Sequence, residues 1–138
     1  IGFNVRVIVI NESLLKPGEG TSDKLLMINP KIISSNNKVS FKEACFSLPG
    51  SELNIDRFES IEVSWTNVDG LKSRGNFGSY GSACIQHEID HLDGILTIDR
   101  LSQLRRSLFV KKYKKRKLLK SREAKSSQGK KKRKKKKR

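Results

Sequence analysis

Residues 86–94 read Gln86-His87-Glu88-Ile89-Asp90-His91-Leu92-Asp93-Gly94, and this stretch decides the fold. His87 and His91 are four residues apart, so on an α-helix they share one face and can both reach a single metal ion. Glu88 sits beside the first of them and can hold a metal-bound water without binding the metal itself. A Ser-rich start at Ser79 or Ser82 and a stop at Gly94 bound the helix. Taken alone, an H-E-x-x-H pattern arises by chance. The bland reading of its two histidines is a solvated or hydrogen-bonded helix face, so the rest of the chain has to be weighed with it.

A catalytic divalent site usually combines three protein ligands with one open position. The chain has no other His, and the only acids after His91 are Asp93, Asp99 and Glu123. Cys45 is the better third ligand. It lies between a short strand and the Pro49-Gly50 turn, with Glu43 and Ser47 nearby, and a thiolate is a strong ligand. Cys84, three residues before His87, reads instead as a small core residue packed near the site. Two cysteines make no disulfide framework and nothing marks secretion, which points to a reducing, cytoplasmic setting. No apolar run is long enough to span a bilayer.

Outward from the helix, the sequence reads as strands. Residues 5–10 form a β-branched, largely buried strand, followed by a loop at 16–20. Residues 25–28 form a second strand, stopped at Asn29-Pro30 with a continuation over 31–33. Residues 34–37 read as a turn and 39–41 as a short strand. Ile61, Val63 and Trp65 alternate with polar residues in a half-buried strand. The turn at 68–70 then leads to a pairing arm over 71–77. Residues 95–98 suggest a short closing strand, and Ser102 is placed to cap a second helix.

Charge divides the chain. The 138 residues carry a formal net charge of +16, yet residues 101–138 hold 20 of the 30 Lys and Arg and one of the 14 acids, Glu123. The first hundred residues are therefore mildly acidic and must supply the core. Beyond Glu123 the composition is Ser, Gln, Gly and Lys/Arg, for which disorder is the expectation.

At this point a resemblance becomes specific. Glu43-Ala44-Cys45-Phe46-Ser47 resembles the E-G-C-L-S motif of peptide deformylases, and residues 86–94 resemble their Q-H-E-x-D-H-L-x-G motif. Ile28-Asn29-Pro30 and Asp56-Arg57-Phe58-Glu59 are similar to two further family segments, the latter to P-R-x-E. The resemblance covers residues 1–104, leaving 105–138 as a basic helix and tail. There are departures. Ala44 stands for Gly and Phe46 for Leu. No Arg occurs between Leu48 and Arg57, where the family often has one. The family's G-x-G-x-A-A-x-Q motif would fall just before Ile1, so the sequence reads as lacking a side-chain oxyanion donor. Losing one such donor costs on the order of 10²–10³ in rate.

The resemblance implies an α+β domain with antiparallel sheets around a central metal-binding helix, then a C-terminal helix and a disordered basic tail. It implies one divalent metal ion, Fe2+ first and Zn2+ or Ni2+ as substitutes, held by Cys45, His87 and His91. Glu88 would shuttle the proton and the Phe46 N–H would face the oxyanion. Arg57 and Asp90 would form a supporting pair, for which the bland reading is an ordinary surface ion pair. The implied reaction removes the formyl group from N-formylmethionine of nascent peptides, carried out by a cytoplasmic monomer without membrane contact. Bacterial members dock a basic C-terminal helix on the ribosome, so the tail, with Lys130, Lys131, Lys132 and Arg133, is expected to meet ribosomal RNA. An inactive fragment that only binds RNA through this tail is the alternative. A protease with the same helix motif is a third reading, disfavoured by Cys45.

Overall fold

The structure, a computed structural model, describes residues 5–15 and 24–135. The expected loop at 16–20 and the chain start at Ile1-Gly2 lie outside the described residues. The chain divides into two compact units, Ile1–Arg100 and Leu101–Arg138. The first is a mixed α/β body. Strand β1 (Val7–Asn11) is followed by a 3-10 turn at Glu12–Leu14 and by β2 (Lys24–Ala44), β3 (Glu52–Thr66) and β4 (Lys72–Gly78). Helix α1 (Ser79–Leu92) and a second 3-10 turn at Thr97–Arg100 complete the unit. Among the described residues, the four strands form a single antiparallel sheet in the order β1-β2-β3-β4, rather than several sheets.

One face of that sheet carries the core. Ile61, Val63 and Trp65 on β3 are 2%, 0% and 8% exposed, as their alternation with polar residues requires. They pack with Ile8 and Ile10 of β1, Met27 of β2 and Ile85 and Ile89 of α1. Burying each such side chain contributes about 1.5–3 kcal/mol, so helix and sheet hold each other. Gly75 of β4 lies opposite Val63, and a Cβ there would stand 3.2 Å from both the Trp65 and Phe77 rings. The small residue lets those rings close over the sheet.

Several expectations are corrected. β1 is not largely buried: Ile8 and Ile10 face the core, but Val9 is 54% exposed, because β1 is an edge strand covered on one face. Residues 24–44 are one strand of 21 residues instead of two strands and a turn. Asn29 takes a left-handed φ of 52° and the register shifts between Ile28 and Lys31, so Asn29-Pro30 becomes a bulge. The polar residues 34–37 stay in the ladder because Ser34, Ser35 and Asn36 pair with Glu62, Ile61 and Ser60. The long partner strand overrides their turn preference. Residues 95–98 make no strand. Asp99 accepts a bond from the Leu96 amide at 2.9 Å and returns its own amide to the Leu96 carbonyl at 2.8 Å, closing a turn instead.

The hairpin between β3 and β4 forms as read. Asn67 Oδ1 accepts from the Asp69 and Leu71 amides at 3.0 and 2.9 Å, and Gly70 supplies φ 79°. The metal-motif helix starts at Ser79 after Gly78, which offers no side-chain cap. Ser82 lies inside the helix, buried, with its hydroxyl donating to the Phe58 carbonyl of β3 at 2.8 Å. The C-terminus is a Schellman motif. The Ile95 amide reaches the Asp90 carbonyl at 2.8 Å and the Gly94 amide reaches that of His91 at 3.2 Å, with Gly94 at φ 73°.

In the second unit, α2 spans Gln103–Lys135. Ser102 caps it as expected, accepting from the Arg105 amide at 3.4 Å. The helix continues past Glu123, where a disordered tail was expected. Lys, Arg, Gln and Ala are all good helix formers, so a composition unable to build a core still suits a local helix. Phe109 stacks on Tyr113 one turn later, and Arg116 lies over the Tyr113 ring. Lys130, Lys131, Lys132 and Arg133 fall on this helix, but their side chains lie outside what is described.

Candidate metal centre

Two elements deliver the donor atoms. Cys45 follows the last residue of β2 and begins a turn closed by the Leu48 amide on its carbonyl at 3.0 Å. His87 and His91 project from consecutive turns of α1, with ring centroids 4.6 Å apart and nearly perpendicular. The His91 Nε2 lies 3.2 Å from the Cys45 Sγ and 3.1 Å from the His87 Nε2. The three ligand atoms all fall within 4.8 Å of one another. A tetrahedral ion with ordinary Zn–N and Zn–S bonds holds its donors about 3.3–3.7 Å apart. Both His91 contacts lie within a few tenths of an ångström of that spacing, and this donor set fits a metal.

A chain of charges runs behind the trio. His87 uses its far nitrogen, Nδ1, to bond Glu43 Oε2 at 2.9 Å. Glu43 is gripped by Arg57 through Nε at 2.7 Å and Nη2 at 3.1 Å. The remaining Arg57 nitrogen, Nη1, reaches Asp90 Oδ2 at 2.5 Å. The sequence named the Arg57–Asp90 pair. It is no surface ion pair, since the two side chains are only 3% and 6% exposed. Glu43 stands near Cys45 in the sequence, but nothing local signals its bonds to His87 and Arg57. Arg100, which also binds Asp90, was missed altogether, because nothing in a turn residue's neighbours signals a partner ten positions back.

Electrostatics follow from these contacts. Burial opposes ionisation of Cys45, but bonds from the Ser47 backbone and side chain and from both histidines outweigh it, and the thiol is lowered to about 7. The Glu43 hydrogen bond raises His87 to about 8 against the effect of burial. Burial also opposes charge on Glu43 and Asp90. The His87 and Arg57 bonds hold Glu43 below the usual carboxylate range, and Arg100 and Arg57 do the same for Asp90.

The trio lines a cavity of about 360 Å³, and Glu88 and the Phe46–Ser47 segment line it too. Phe41, Tyr80 and Ala83 give it an apolar wall, and Cys84 faces the same space, half-buried. Burial pushes the Cys84 thiol up, helped by the nearby Glu88 and Glu43 charges. Phe46 leaves its ring wholly exposed. Gln86 is a structural tie: its side chain accepts from the Phe58 amide at 3.0 Å and donates to the Phe58 carbonyl at 2.9 Å, which pins α1 to β3.

The family model described as polypeptide deformylase matches residues 1–107. The peptide deformylase of Rhodopseudomonas palustris strain TIE-1 is 34% identical over 112 residues, covering 80% of this chain and 63% of that protein. That of Aquifex aeolicus strain VF5 is 38% identical over 124 residues, covering 89% and 70%. The crystal structure of peptide deformylase from Thermus thermophilus matches with a TM-score of 0.72 at 32% identity, over 83% of this chain and 65% of that one. For a peptide deformylase from Legionella pneumophila the TM-score is 0.70 at 32% identity, over 88% and 69%. The chain thus spans just under two thirds of the length of the Rhodopseudomonas relatives it matches.

Proposed function

This chain belongs to the polypeptide deformylase family, and we propose that it hydrolyses the formyl amide of N-formylmethionyl peptides with one divalent metal held by Cys45, His87 and His91. The observation that carries the reading is the convergence of those three donor atoms within 4.8 Å, in a cavity that Glu88 also lines. A mixed thiolate and imidazole set is chemically compatible with Fe2+, Zn2+ and Ni2+ alike, and Fe2+ is the ion the family resemblance favours. When bound, such an ion supplies a water acidic enough to ionise near neutral pH and a positive charge for the carbonyl oxygen.

The protein's own groups do the rest. Glu88 accepts a proton from the attacking water and returns it to the amine of the departing peptide. The Phe46 amide is the second in the turn begun by Cys45, and its N–H is the donor we assign to the developing oxyanion. Glu43 accepts a hydrogen bond from the Nδ1–H of His87, which fixes the tautomer that presents Nε2 to the metal. Arg57 and Asp90 keep Glu43 in place. The apolar wall of Phe41, Tyr80 and Ala83 offers room for a methionine side chain.

Release of formate from a formyl-Met peptide, with the chain loaded with Fe2+ or Ni2+, tests the reading. Replacing Glu88 by Gln is expected to reduce formate release by at least 10²-fold while metal stays bound, since proton transfer contributes about 10²–10⁴. A loaded wild-type chain that releases no formate would overturn it.

The basic segment supports a second, compatible role at the ribosome. Residues 101–138 offer 20 Lys and Arg to phosphates, Lys130, Lys131, Lys132 and Arg133 among them. Binding to ribosomal RNA is expected to weaken steeply and linearly in log salt, with little sequence preference. Filter binding at increasing KCl measures the slope, and a slope near zero would refute the role. An enzyme of nascent chains works where ribosomes do, so we place it in the cytoplasm, as a monomer. No helix among the described residues is long and apolar enough to cross a membrane.

A further inference from the structure

We propose that Arg100 is a positioning residue for the metal centre, acting through Asp90, Arg57 and Glu43 on His87. The inference rests on the metal-site reading above and concerns a residue outside the ligand motifs.

Arg100 ends the 3-10 turn after α1 and makes a two-pronged contact with Asp90. Its Nε reaches Oδ2 at 2.9 Å and its Nη2 bonds Oδ1. Arg57 makes the matching two-pronged contact with Glu43 and spends only its third nitrogen on Asp90. Two acids therefore meet two guanidinium groups, each acid with a fork of its own, and the Arg57 Nη1 contact joins the two pairs. Paired forks of this kind are the strong form of the ion pair.

The consequence concerns a nearly buried charge. Asp90 keeps only 6% of its side chain exposed. Without Arg100 it would have Arg57 alone, and an unbalanced buried carboxylate attracts the nearest cation strongly. Arg57 would shift toward Asp90 and loosen its fork on Glu43. Glu43 is the group that orients His87, at 2.9 Å from Nδ1. The Asp90 backbone carbonyl also holds the returning chain through the Ile95 amide, so the segment that carries Arg100 is tied back to the residue it balances.

The test is a double-mutant cycle on metal affinity in the full chain, read as Zn2+ affinity by chelator competition. Arg100→Gln is expected to weaken Zn2+ binding roughly 10-fold, the low end of the effect for outer-shell partners. In a Glu43→Gln background the same change is expected to cost less than about 2-fold, because the relay is already cut. An unchanged affinity in Arg100→Gln overturns the inference, and so does an equal loss in both backgrounds. If Arg100→Gln fails to fold by circular dichroism, Arg100→Lys carries the same cycle, since it keeps a cation but not the fork. A wild-type chain that binds no Zn2+ would overturn the metal-site reading and this inference with it. A wild-type chain that binds Zn2+, beside an unaffected Arg100→Gln, would overturn the inference alone.

Discussion

Arg57 shows how much of the site one residue can hold. Its guanidinium touches Glu43 and Asp90, and both acids are almost as buried as Arg57 itself. Removing one partner from a buried ion cluster is strongly destabilising, because the remaining charges have neither water nor counter-charge. Arg57→Gln is expected to lower the stability of the metal-free chain by about 3–5 kcal/mol, measured by urea unfolding; a loss under 1 kcal/mol would mean that water reaches the acids. At this scale the sequence was informative where chemistry is local. That Cys45, His87 and His91 come together could be read because four-residue spacing on a helix and a lone Cys beside a turn constrain the options. Glu43 and Arg100 could not, since their roles depend on which strand end and which turn meet the helix. Arg57 could be named as a partner of Asp90, but its burial depends on the packing of β3 under α1.

Among the elements, α1 was the most legible and its ends show why. The stop at Gly94 rests on a left-handed φ of 73°, which glycine adopts without cost, and on the two Schellman bonds. A Cβ added at Gly94 would meet nothing within 4 Å. Gly94→Ala therefore isolates the backbone term, and a loss of about 1–2 kcal/mol is expected, read as a lower urea midpoint. Gly94→Asn should recover part of it, since Asn tolerates that conformation better; an Ala variant as stable as wild type would contradict the cap. The helix start was ambiguous between Ser79 and Ser82 because Gly78 carries no capping side chain. The strands were legible in content but not in length. Residues 29–30 and 34–37 carry turn and stop signals that hold only for a strand without a partner. Once β3 supplies a ladder from Glu52 to Thr66, Ser34, Ser35 and Asn36 are paired in place and Asn29-Pro30 is absorbed as a bulge. Local preference lost to long-range pairing, which a single sequence does not display.

At the scale of the whole molecule, the buried charges set how stability responds to pH. Glu43 and Asp90 have folded values below their ordinary 4.5 and 3.8, because their arginine and histidine partners outweigh burial. A carboxylate depressed in this way stabilises the fold above its unfolded value. That contribution is lost as pH falls through the folded value, when the unfolded chain binds more protons. Two other groups act near neutrality and oppose each other in the metal-free chain. His87, raised from 6.5 to about 8, contributes below its unfolded value and loses that as pH rises through about 8. Cys45, lowered from 9.0 to about 7, contributes above its unfolded value and loses that as pH falls through about 7. Between 7 and 8 the two trends run in opposite directions, so the midpoint is expected to change little there. The acid limb has no such cancellation. The urea midpoint of the metal-free chain is therefore expected to hold down to about pH 5 and then to fall steadily through pH 4 and below. Glu43→Gln, which cannot titrate, should start from a lower midpoint and fall less steeply over the same range. A wild-type midpoint that stays level from pH 6 to pH 3 would show that the paired carboxylates carry no net stability.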